Sequence, residues 1–399
     1  MNIVILGAGQ AAASMAAKLR ALGHEGRITV IGDEPAPPYQ RPPLSKAYLL
    51  GDMDLDRLTL RGAEWWDEHQ ITLRLGERAT GIDRDRRVIV TDKGEVAYDA
   101  LALTLGASPR RLPAAMGGHL RGVHVVRNLA DIAGVRPELV AGRRLVVIGG
   151  GYIGLEAAAV ARKLGLEVTL VEAAPRILGR VAASETADMI RALHVSHGVE
   201  VIEGVGIERI TGDSAADGVT LADGRHLPAD LVICGIGVAP ETTLAESAGL
   251  ALDNGIATDA QGRTSDPSIW AAGDCASFPA PDGQMRLESV GNAIDMAEAV
   301  AANILGADAA YIPKPWFWSD QFEAKLQIAG LNVGYNRVVT RSGAGAHGGS
   351  VWYYRDGRLI AVDALNDARA YMIGKRLIEG GKSPSPEAVL EATDLKALM

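Results

Sequence analysis

The stretch Ile3-Val4-Ile5-Leu6-Gly7-Ala8-Gly9-Gln10-Ala11-Ala12 decides the fold. An apolar, β-type run enters a turn with two glycines, and an alanine-rich helical segment follows over residues 11–22. A second strand is predicted over 28–31 and is followed by Asp33. In such a unit the first glycine permits the tight turn and the second lets the backbone approach a pyrophosphate, while the acid after the second strand binds a ribose.

The same arrangement recurs 142 residues later, in Leu145-Val146-Val147-Ile148-Gly149-Gly150-Gly151-Tyr152-Ile153-Gly154. A helix is expected over 155–164 and a strand over 168–171, which ends next to Glu172. Asp33 lies 26 residues after Gly7, and Glu172 lies 23 after Gly149; about 20 residues is the usual separation. One such motif is a weak signal, but two complete copies predict two dinucleotide sites, one for a flavin and one for a nicotinamide.

Composition narrows the class of protein. The chain has 399 residues, 48% of them hydrophobic and 22% charged, which favours a globular protein of two or three domains. A net charge of −9 argues against a nucleic-acid partner. The sequence shows neither a basic leader nor a run near the roughly 18 apolar residues of a membrane span, so we expect a cytoplasmic protein with no membrane partner.

Only two cysteines are present, Cys234 and Cys275, and they are 41 residues apart. They form no C-x-x-C pair, and they predict neither a disulfide framework nor a metal site. Small, buried packing is their expected role.

Several further motifs carry a resemblance to a known family. They are Tyr39-Gln40-Arg41-Pro42-Pro43-Leu44-Ser45-Lys46, Leu103–Pro109, Thr264–Pro267 followed by Ala272-Gly273-Asp274, Leu287–Val290 and Pro315–Gln321. In this order they resemble the oxygenase-coupled, NADH-dependent ferredoxin reductases, the family of putidaredoxin reductase and the biphenyl dioxygenase ferredoxin reductase. The resemblance covers essentially the whole chain.

The resemblance implies an α/β, glutathione-reductase-like fold: two Rossmann-type dinucleotide-binding domains plus a C-terminal α+β domain. An FAD-binding domain split in sequence would comprise 1–110 and 240–315, with an NAD-binding domain at 111–239 and the C-terminal domain at 316–399.

The family also implies site residues. On the FAD side these are Gly7, Gly9, Ala11, Asp33, Arg41, Lys46, Ala79, Arg127, Asp274, Val290 and Trp318. On the NADH side they are Gly149, Gly151, Ile153, Gly154, Glu156, Glu172, Arg180 and Gly237. Lys46, paired with Glu156, and Trp318 would be catalytic. Two of these residues also have an alternative role that involves no ligand. Lys46 could be a solvated surface charge, and Asp274 could be the N-cap of a helix.

Two points of chemistry stay open at this level. The Glu172 carboxylate favours NADH because it repels a 2′-phosphate, although Arg176 and Arg180 could neutralise that phosphate. Trp316 and Trp318 are either electron-exit residues or core residues, and strand alternation is expected to turn only one of them toward the flavin.

The electron path follows from the missing cysteines. With no redox cysteine expected near the flavin, FAD would take hydride from NADH and pass single electrons to a transient partner, a 2Fe-2S ferredoxin that feeds a haem monooxygenase or a Rieske-type dioxygenase. A basic face for this partner, or ordinary solvated charge, is expected from Arg61, Arg337, Arg341, Arg369, Lys375 and Arg376. The alternatives are a rubredoxin, quinone or oxygen reductase, or a redox-sensing flavoprotein similar to apoptosis-inducing factor. The glycine-rich loop 343–349 is predicted to be a turn.

Overall fold

The computed structural model describes residues 1–281, 283–343 and 347–399. The chain divides into two compact units, each assembled from separate stretches of sequence. Unit 1 contains Met1–Gln40, Asp54–Ser108 and Val238–Pro315, and unit 2 contains Arg41–Met53, Pro109–Gly237 and Trp316–Met399. The stretches expected to form the NAD-binding and C-terminal domains thus fall in one unit, so the three-domain division stays a prediction.

Unit 1 is built on a five-stranded parallel sheet. In spatial order its strands are Ile269–Ala271, Ala100–Leu103, Ile3–Leu6, Ile28–Gly32 and Ile71–Leu75. The middle strands are buried along their whole length, which explains why they are continuous apolar runs without polar alternation. The helices Gln10–Ala21 and Val290–Ile304 pack against each other, and their apolar residues join the sheet in one core.

The rest of unit 1 consists of shorter elements. Its helices are Leu55–Leu58, Ala63–Glu68 and Thr243–Ser247. Its further strands are Ala79–Asp83, Val88–Thr91 and Gly94–Ala97 in one antiparallel sheet and Ile256–Ala257, Ala276–Ala280 and Gly283–Met285 in a mixed sheet. The pair Ala107–Pro109 and Val238–Pro240 also belongs to unit 1, except for Pro109.

Unit 2 contains a second five-stranded parallel sheet. Its strands, in spatial order, are Glu200–Glu203, Glu167–Glu172, Arg144–Ile148, Leu231–Cys234 and Val123–His124. A three-stranded antiparallel sheet accompanies it, formed by Ile207–Thr211, Gly218–Leu221 and His226–Pro228. The helices of this part are Ala47–Leu50, Leu129–Val135, Tyr152–Lys163 and Ser184–Ser196, with 3-10 turns at Pro42–Ser45, Ala114–Met116 and Arg136–Glu138.

The last part of unit 2 is an antiparallel sheet with helices on it, which confirms the α+β character expected for the C-terminal stretch. Its strand order is Trp316–Gln321, Ala324–Gly330, Arg358–Leu365, Gly349–Arg355 and Arg337–Ser342. The helices are Ala368–Glu379 and Pro386–Glu391, followed by the 3-10 turn Leu395–Leu398. Of the loop predicted as a turn, residues 344–346 lie outside the described residues.

The helix after each glycine turn starts slightly earlier than the sequence suggested. The first spans Gln10–Ala21 and the second Tyr152–Lys163, where 11–22 and 155–164 were expected. The reason is that Gly9 and Gly151 themselves serve as the N-cap residues. A third helix, Val290–Ile304, has Ser289 as its N-cap residue.

Candidate functional site

The first glycine turn has the geometry of a phosphate-binding turn. Gly7 has a φ of +98°, and a Cβ there would lie 2.3 Å from the carbonyl oxygen of Thr104, so only glycine fits. Gly9 caps the helix Gln10–Ala21 without any side-chain hydrogen bond, and a Cβ at Gly9 would meet nothing within 4 Å. The start of the helix thus has no side-chain cap and open space at Gly9, which suits the pyrophosphate of FAD.

Three other predicted FAD residues belong to unit 1 near this turn or after a strand of its sheet: Ala11, Asp33 and Asp274. A Cβ at Gly273 would be 3.2 Å from that of Ala11, which places Ala11 beside the segment that leads to Asp274. Asp33 follows the strand Ile28–Gly32 and is exposed, and its Oδ2 lies 3.1 Å from Arg78 Nη2. Sequence reasoning missed Arg78. Its position directly before Ala79, a predicted FAD contact, was the available signal.

Val290 is the first residue of the helix Val290–Ile304. The hydroxyl of Ser289 accepts a 3.1 Å hydrogen bond from the backbone N–H of Asn292, so one of the N–H groups at this helix end has a partner. The remaining N–H groups and the positive end of the helix dipole stay available to an electron-rich ligand atom.

The second glycine turn, in unit 2, repeats the geometry of the first. Gly149 has a φ of +104°, and a Cβ there would lie 2.4 Å from the carbonyl oxygen of Gly235. Gly151 caps the helix Tyr152–Lys163 with open space around it. At Gly154 a Cβ would come within 2.1 Å of the Gly149 carbonyl oxygen, so this glycine allows the helix to pack on the turn, as predicted. Ile153, on the first turn of the helix, is exposed.

Glu172 ends the second strand of this unit, and its carboxylate holds the glycine turn. Its Oε2 accepts a hydrogen bond from the backbone N–H of Gly150 at 2.7 Å, and its Oε1 accepts one from Ala174 at 2.7 Å. Each oxygen keeps a second lone pair for a ribose hydroxyl. The sequence predicted the ligand role of Glu172 and not this second role in the protein itself.

Two arginines accompany Glu172. Arg180 is exposed, and its Nη2 lies 3.6 Å from the position of a Cβ on Gly237, so these two predicted residues are neighbours. Arg176 has a buried Nη1 without a hydrogen-bond partner among the described residues. Both guanidinium groups are therefore candidates to bind a phosphate group of a ligand.

The predicted pair of Lys46 and Glu156 is present in unit 2. Lys46 Nζ lies 2.8 Å from Glu156 Oε2, and the hydroxyl of Ser45 donates to the same oxygen at 2.5 Å. The hydroxyl of Ser319 donates to Oε1 at 2.6 Å. Burial raises the pKa of Glu156 above its ordinary value, while Lys46 and the two hydroxyls favour the carboxylate and oppose that rise.

The surroundings of this pair exclude the alternative that Lys46 is a solvated surface charge. Its side chain is only 14% exposed, so it is not a solvated surface charge. Arg41, five residues earlier, donates a 2.9 Å hydrogen bond from Nη1 to the backbone carbonyl oxygen of Arg127. Two more predicted FAD residues are therefore adjacent within unit 2.

The expectation for the two tryptophans was wrong. Trp316 and Trp318 lie on the same face of the strand Trp316–Gln321, with ring centroids 5.6 Å apart and an interplanar angle of 19°. Side chains alternate with a period of two, so residues two apart share a face. Both rings therefore point the same way, and Ser319 and Gln321 share the opposite face.

The proposed basic face is weaker than the sequence suggested, because four of its six residues have partners. Arg337 pairs with Glu387, Arg369 with Asp394 and Lys375 with Glu379. Arg341 binds the carbonyl oxygens of Val389, Leu390 and Ala392 around the end of the helix Pro386–Glu391, which is a structural role. In the described part of the chain Arg61 and Arg376 form no ion pair.

Both cysteines are buried, free thiols. Burial raises the pKa of Cys234 to about 12 and that of Cys275 to about 11, so neither is a reactive thiolate at neutral pH. Among the described residues, no group of three or more His, Cys, Asp or Glu could hold a metal ion. Within the same residues, no helix combines the length and apolar character that crossing a membrane requires.

Comparison with known proteins gives similarities over the full chain. Residues 1–297 match the family model described as pyridine nucleotide-disulphide oxidoreductase, and residues 316–399 match the one described as reductase C-terminal. Rhodocoxin reductase of Rhodococcus erythropolis is 43% identical over 401 residues, which cover 99% of this chain and 94% of that protein. Putidaredoxin reductase of Pseudomonas putida is 42% identical over 385 residues, 94% of this chain and 91% of that protein.

Solved structures agree with these relatives. The covalent putidaredoxin reductase–putidaredoxin complex matches with a TM-score of 0.95 and 39% identity over 100% of this chain and 97% of that one. A ferredoxin reductase from Rhodopseudomonas palustris matches with a TM-score of 0.94 and 40% identity over 99% of both chains.

Proposed function

The chain belongs to the pyridine nucleotide-disulphide oxidoreductase family, and we propose that within it this protein is an NADH-dependent, FAD-containing ferredoxin reductase. It transfers electrons from a nicotinamide coenzyme to a 2Fe-2S ferredoxin that serves an oxygenase system, as its relatives do. The observation that carries this function is the pair of glycine turns, each of which leaves an uncapped helix end in open space.

FAD fits the residues of the first turn. The uncapped N–H groups after Gly9 would bind its pyrophosphate, and Asp33 would bind its adenosine ribose. When bound, FAD supplies the chemistry that converts a two-electron donor into single-electron steps. We assign the remaining FAD contacts to Gly7, Ala11, Arg41, Lys46, Ala79, Arg127, Asp274, Val290 and Trp318.

The second turn would bind the nicotinamide coenzyme. Gly149, Gly151 and Gly154 shape the turn, and Glu172 offers its free lone pairs to the 2′-hydroxyl of the ribose. A carboxylate at that place repels a 2′-phosphate, which favours NADH over NADPH. Ile153, Glu156, Arg180 and Gly237 complete the assignment.

Lys46, Glu156 and Trp318 are proposed as the catalytic residues. The Glu156 carboxylate fixes the ammonium group of Lys46, and both side chains are largely removed from water. The buried, protonated thiols of Cys234 and Cys275 are unsuited to relay electrons. The single-electron acceptor must therefore take electrons from FAD, and we propose that Trp318 lies on that exit path.

Domain organisation and location complete the proposal. The FAD-binding domain would comprise 1–110 and 240–315, the NAD-binding domain 111–239, and the C-terminal domain 316–399. The terminal oxygenase would be a haem monooxygenase or a Rieske-type dioxygenase. Because NADH and soluble ferredoxins meet in the cytoplasm, we place the reaction there.

The test is steady-state oxidation of NADH and NADPH with a panel of 2Fe-2S ferredoxins, rubredoxins and a quinone. We expect a 2Fe-2S ferredoxin to give the highest kcat/KM, and NADH to exceed NADPH by roughly tenfold or more. A faster rubredoxin or quinone would reassign the acceptor. Equal kcat/KM values for the two coenzymes would remove the proposed role of Glu172.

A further inference from the structure

A continuous chain of hydrogen bonds leads from Glu156 into the interior of unit 2. Ser319 Oγ lies 2.6 Å from Glu156 Oε1, and Gln321 Nε2 lies 3.0 Å from Ser319 Oγ. His194 Nε2 lies 2.8 Å from Gln321 Oε1. All four side chains are at most 1% exposed. We propose that Ser319, Gln321 and His194 are positioning residues that fix the Glu156 carboxylate, an inference that rests on the function proposed above.

Valence allows only one direction for these hydrogen bonds. A carboxylate can only accept, so the hydroxyl of Ser319 must donate to Glu156. The lone pair of Ser319 then accepts from the Gln321 amide NH2, which turns Gln321 Oε1 toward His194. His194 must therefore carry its proton on Nε2. Every donor in the chain points toward Glu156, and aligned hydrogen bonds of this kind strengthen one another.

The far end of the chain is a neutral histidine. Burial lowers the pKa of His194 to about 4, and its Nδ1 is buried without a hydrogen-bond partner among the described residues. A bare ring nitrogen without a proton fits that surrounding, whereas a protonated one would be a buried donor without an acceptor. The groups that act on the chain electrostatically are Lys46 and Tyr152 near Glu156, and His197 near His194.

The chain orders the site and does not conduct protons. The NH2 group of Gln321 does not release a proton at physiological pH, so a relay would stop there. Instead, Ser319 engages Oε1 of Glu156, which leaves Oε2 for Lys46 and Ser45. Ser319 and Gln321 also belong to the strand that carries Trp318 on its other face. One network therefore fixes Glu156 relative to the strand of the proposed electron-exit residue.

The experiment measures the pKa of Glu156 in the FAD-loaded protein in two ways. The first is the pH profile of kcat/KM for NADH with ferricyanide as acceptor. The second is an infrared titration of the Glu156 carboxyl band, assigned with Glu156→Gln. In Ser319→Ala we expect the pKa to rise by about one unit, a tenfold change in the ionised-to-protonated ratio, because the carboxylate loses a donor. Ser319→Thr should restore it.

Gln321→Leu and His194→Phe should each raise the same pKa by a smaller amount, since they act through Ser319. The matched control is Ser350→Ala, which removes another fully buried serine of the same sheet, bonded to Trp352 instead. It should lower the Tm and leave the pKa of Glu156 in place. If Ser319→Ala does not fold, Gln321→Leu carries the test.

An unchanged infrared pKa in Ser319→Ala and Gln321→Leu overturns the positioning chain. Failure of the proposed function looks different. If Glu156→Gln keeps the wild-type kcat/KM and pH profile, Glu156 has no part in the reaction, whatever the infrared titration of the serine variants shows.

Discussion

The carboxylate of Glu172 accepts a 2.7 Å hydrogen bond from the backbone N–H of Gly150, the central residue of the second glycine turn. The residue proposed to recognise the coenzyme ribose therefore also holds the turn that receives the pyrophosphate. In Glu172→Gln only one oxygen remains to accept, so either Gly150 or Ala174 loses its partner. The loss of a hydrogen bond to a charged group costs about 1.5 to 3 kcal/mol.

We expect Glu172→Gln to raise KM for NADH by about tenfold or more, and to narrow the preference for NADH because the negative charge is gone. Steady-state kinetics with both coenzymes measure this. Glu203→Gln is the control. Glu203 ends the neighbouring strand Glu200–Glu203, and its carboxylate likewise accepts a hydrogen bond from a backbone N–H, that of Ile177. An unchanged ratio of kcat/KM for NADH to kcat/KM for NADPH in Glu172→Gln would contradict the ribose assignment.

The open positions of the two glycine turns permit a paired test. Alanine fits at Gly9 and at Gly151 without a clash, since a Cβ meets nothing within 4 Å at either place. Its methyl group would occupy the space assigned to a pyrophosphate. We expect Gly9→Ala to fold but to purify with little FAD, and Gly151→Ala to retain FAD while its KM for NADH rises about tenfold or more.

The FAD-to-protein absorbance ratio and the coenzyme kinetics distinguish the two variants. Gly7→Ala is the contrasting case, because its Cβ would strike the Thr104 carbonyl oxygen at 2.3 Å and should lower the Tm of the protein itself. If Gly9→Ala and Gly151→Ala lose the same cofactor, the assignment of one turn to each cofactor is wrong.

The sequence predicted the features that depend on local chemistry. Both glycine turns, their strands and the terminal acids Asp33 and Glu172 lie where the motif requires, because the backbone geometry of Gly7 and Gly149 excludes other residues. The C-terminal sheet was expected from the resemblance and is confirmed.

The sequence did not predict the features that depend on contacts between residues distant in the chain. The link from Glu156 to Ser319 joins residues 163 apart, and His194 gave no local signal at all. Ser319 and Gln321 could have been found from strand alternation, as polar residues on the face opposite Trp318. The same period-two rule, misapplied, produced the wrong expectation for Trp316 and Trp318.

The charges of the helix Ala368–Glu379 permit a test of ferredoxin docking. Arg369 is neutralised by Asp394 at 2.6 Å, whereas Arg376 is exposed and forms no ion pair within the described residues. If an acidic ferredoxin approaches this helix, Arg376→Gln should raise KM for ferredoxin about two- to fivefold at low salt, and Arg369→Gln less. Kinetics at low and high ionic strength measure the effect. No effect of either variant would exclude this helix as the docking face, and equal effects would contradict the neutralisation of Arg369 by Asp394.

The buried His194 makes the free energy of unfolding depend on pH below about pH 6.5. Its folded pKa is lowered to about 4, while an unfolded histidine titrates near about 6.5. The stabilisation is thus complete above about pH 6.5 and is lost as the pH falls toward 4, because the unfolded chain then binds the extra proton. Between pH 7 and pH 5 the loss amounts to about 2 kcal/mol, or roughly 2 to 4 °C in Tm. Calorimetry of His194→Gln should show a correspondingly shallower fall, and an unchanged fall would contradict the burial argument.

Asp363 changes the stability with pH in the direction opposite to that of His194. Its Oδ2 accepts hydrogen bonds from Tyr353 and Thr186, while Oδ1 is buried without a partner among the described residues, and burial raises its pKa to about 6. The folded state therefore holds a proton that the unfolded chain releases near about pH 4, so this contribution is complete below that pH and is lost as the pH rises through 6. The change is about 3 kcal/mol, because the folded and unfolded pKa values differ by about two units.

Asp363→Asn cannot ionise, so the Tm of the wild type relative to that of this variant should fall as the pH rises from 4 to 6.5, as measured by calorimetry of both proteins. The variant leaves an amide NH2 at the partnerless Oδ1 position, which lowers Tm at every pH by a similar amount and does not change the slope. His194→Gln and Asp363→Asn must therefore change the pH dependence in opposite directions. If the slope of Tm against pH changes in the same direction in both variants, at least one of these two buried groups does not have the protonation state that its burial favours.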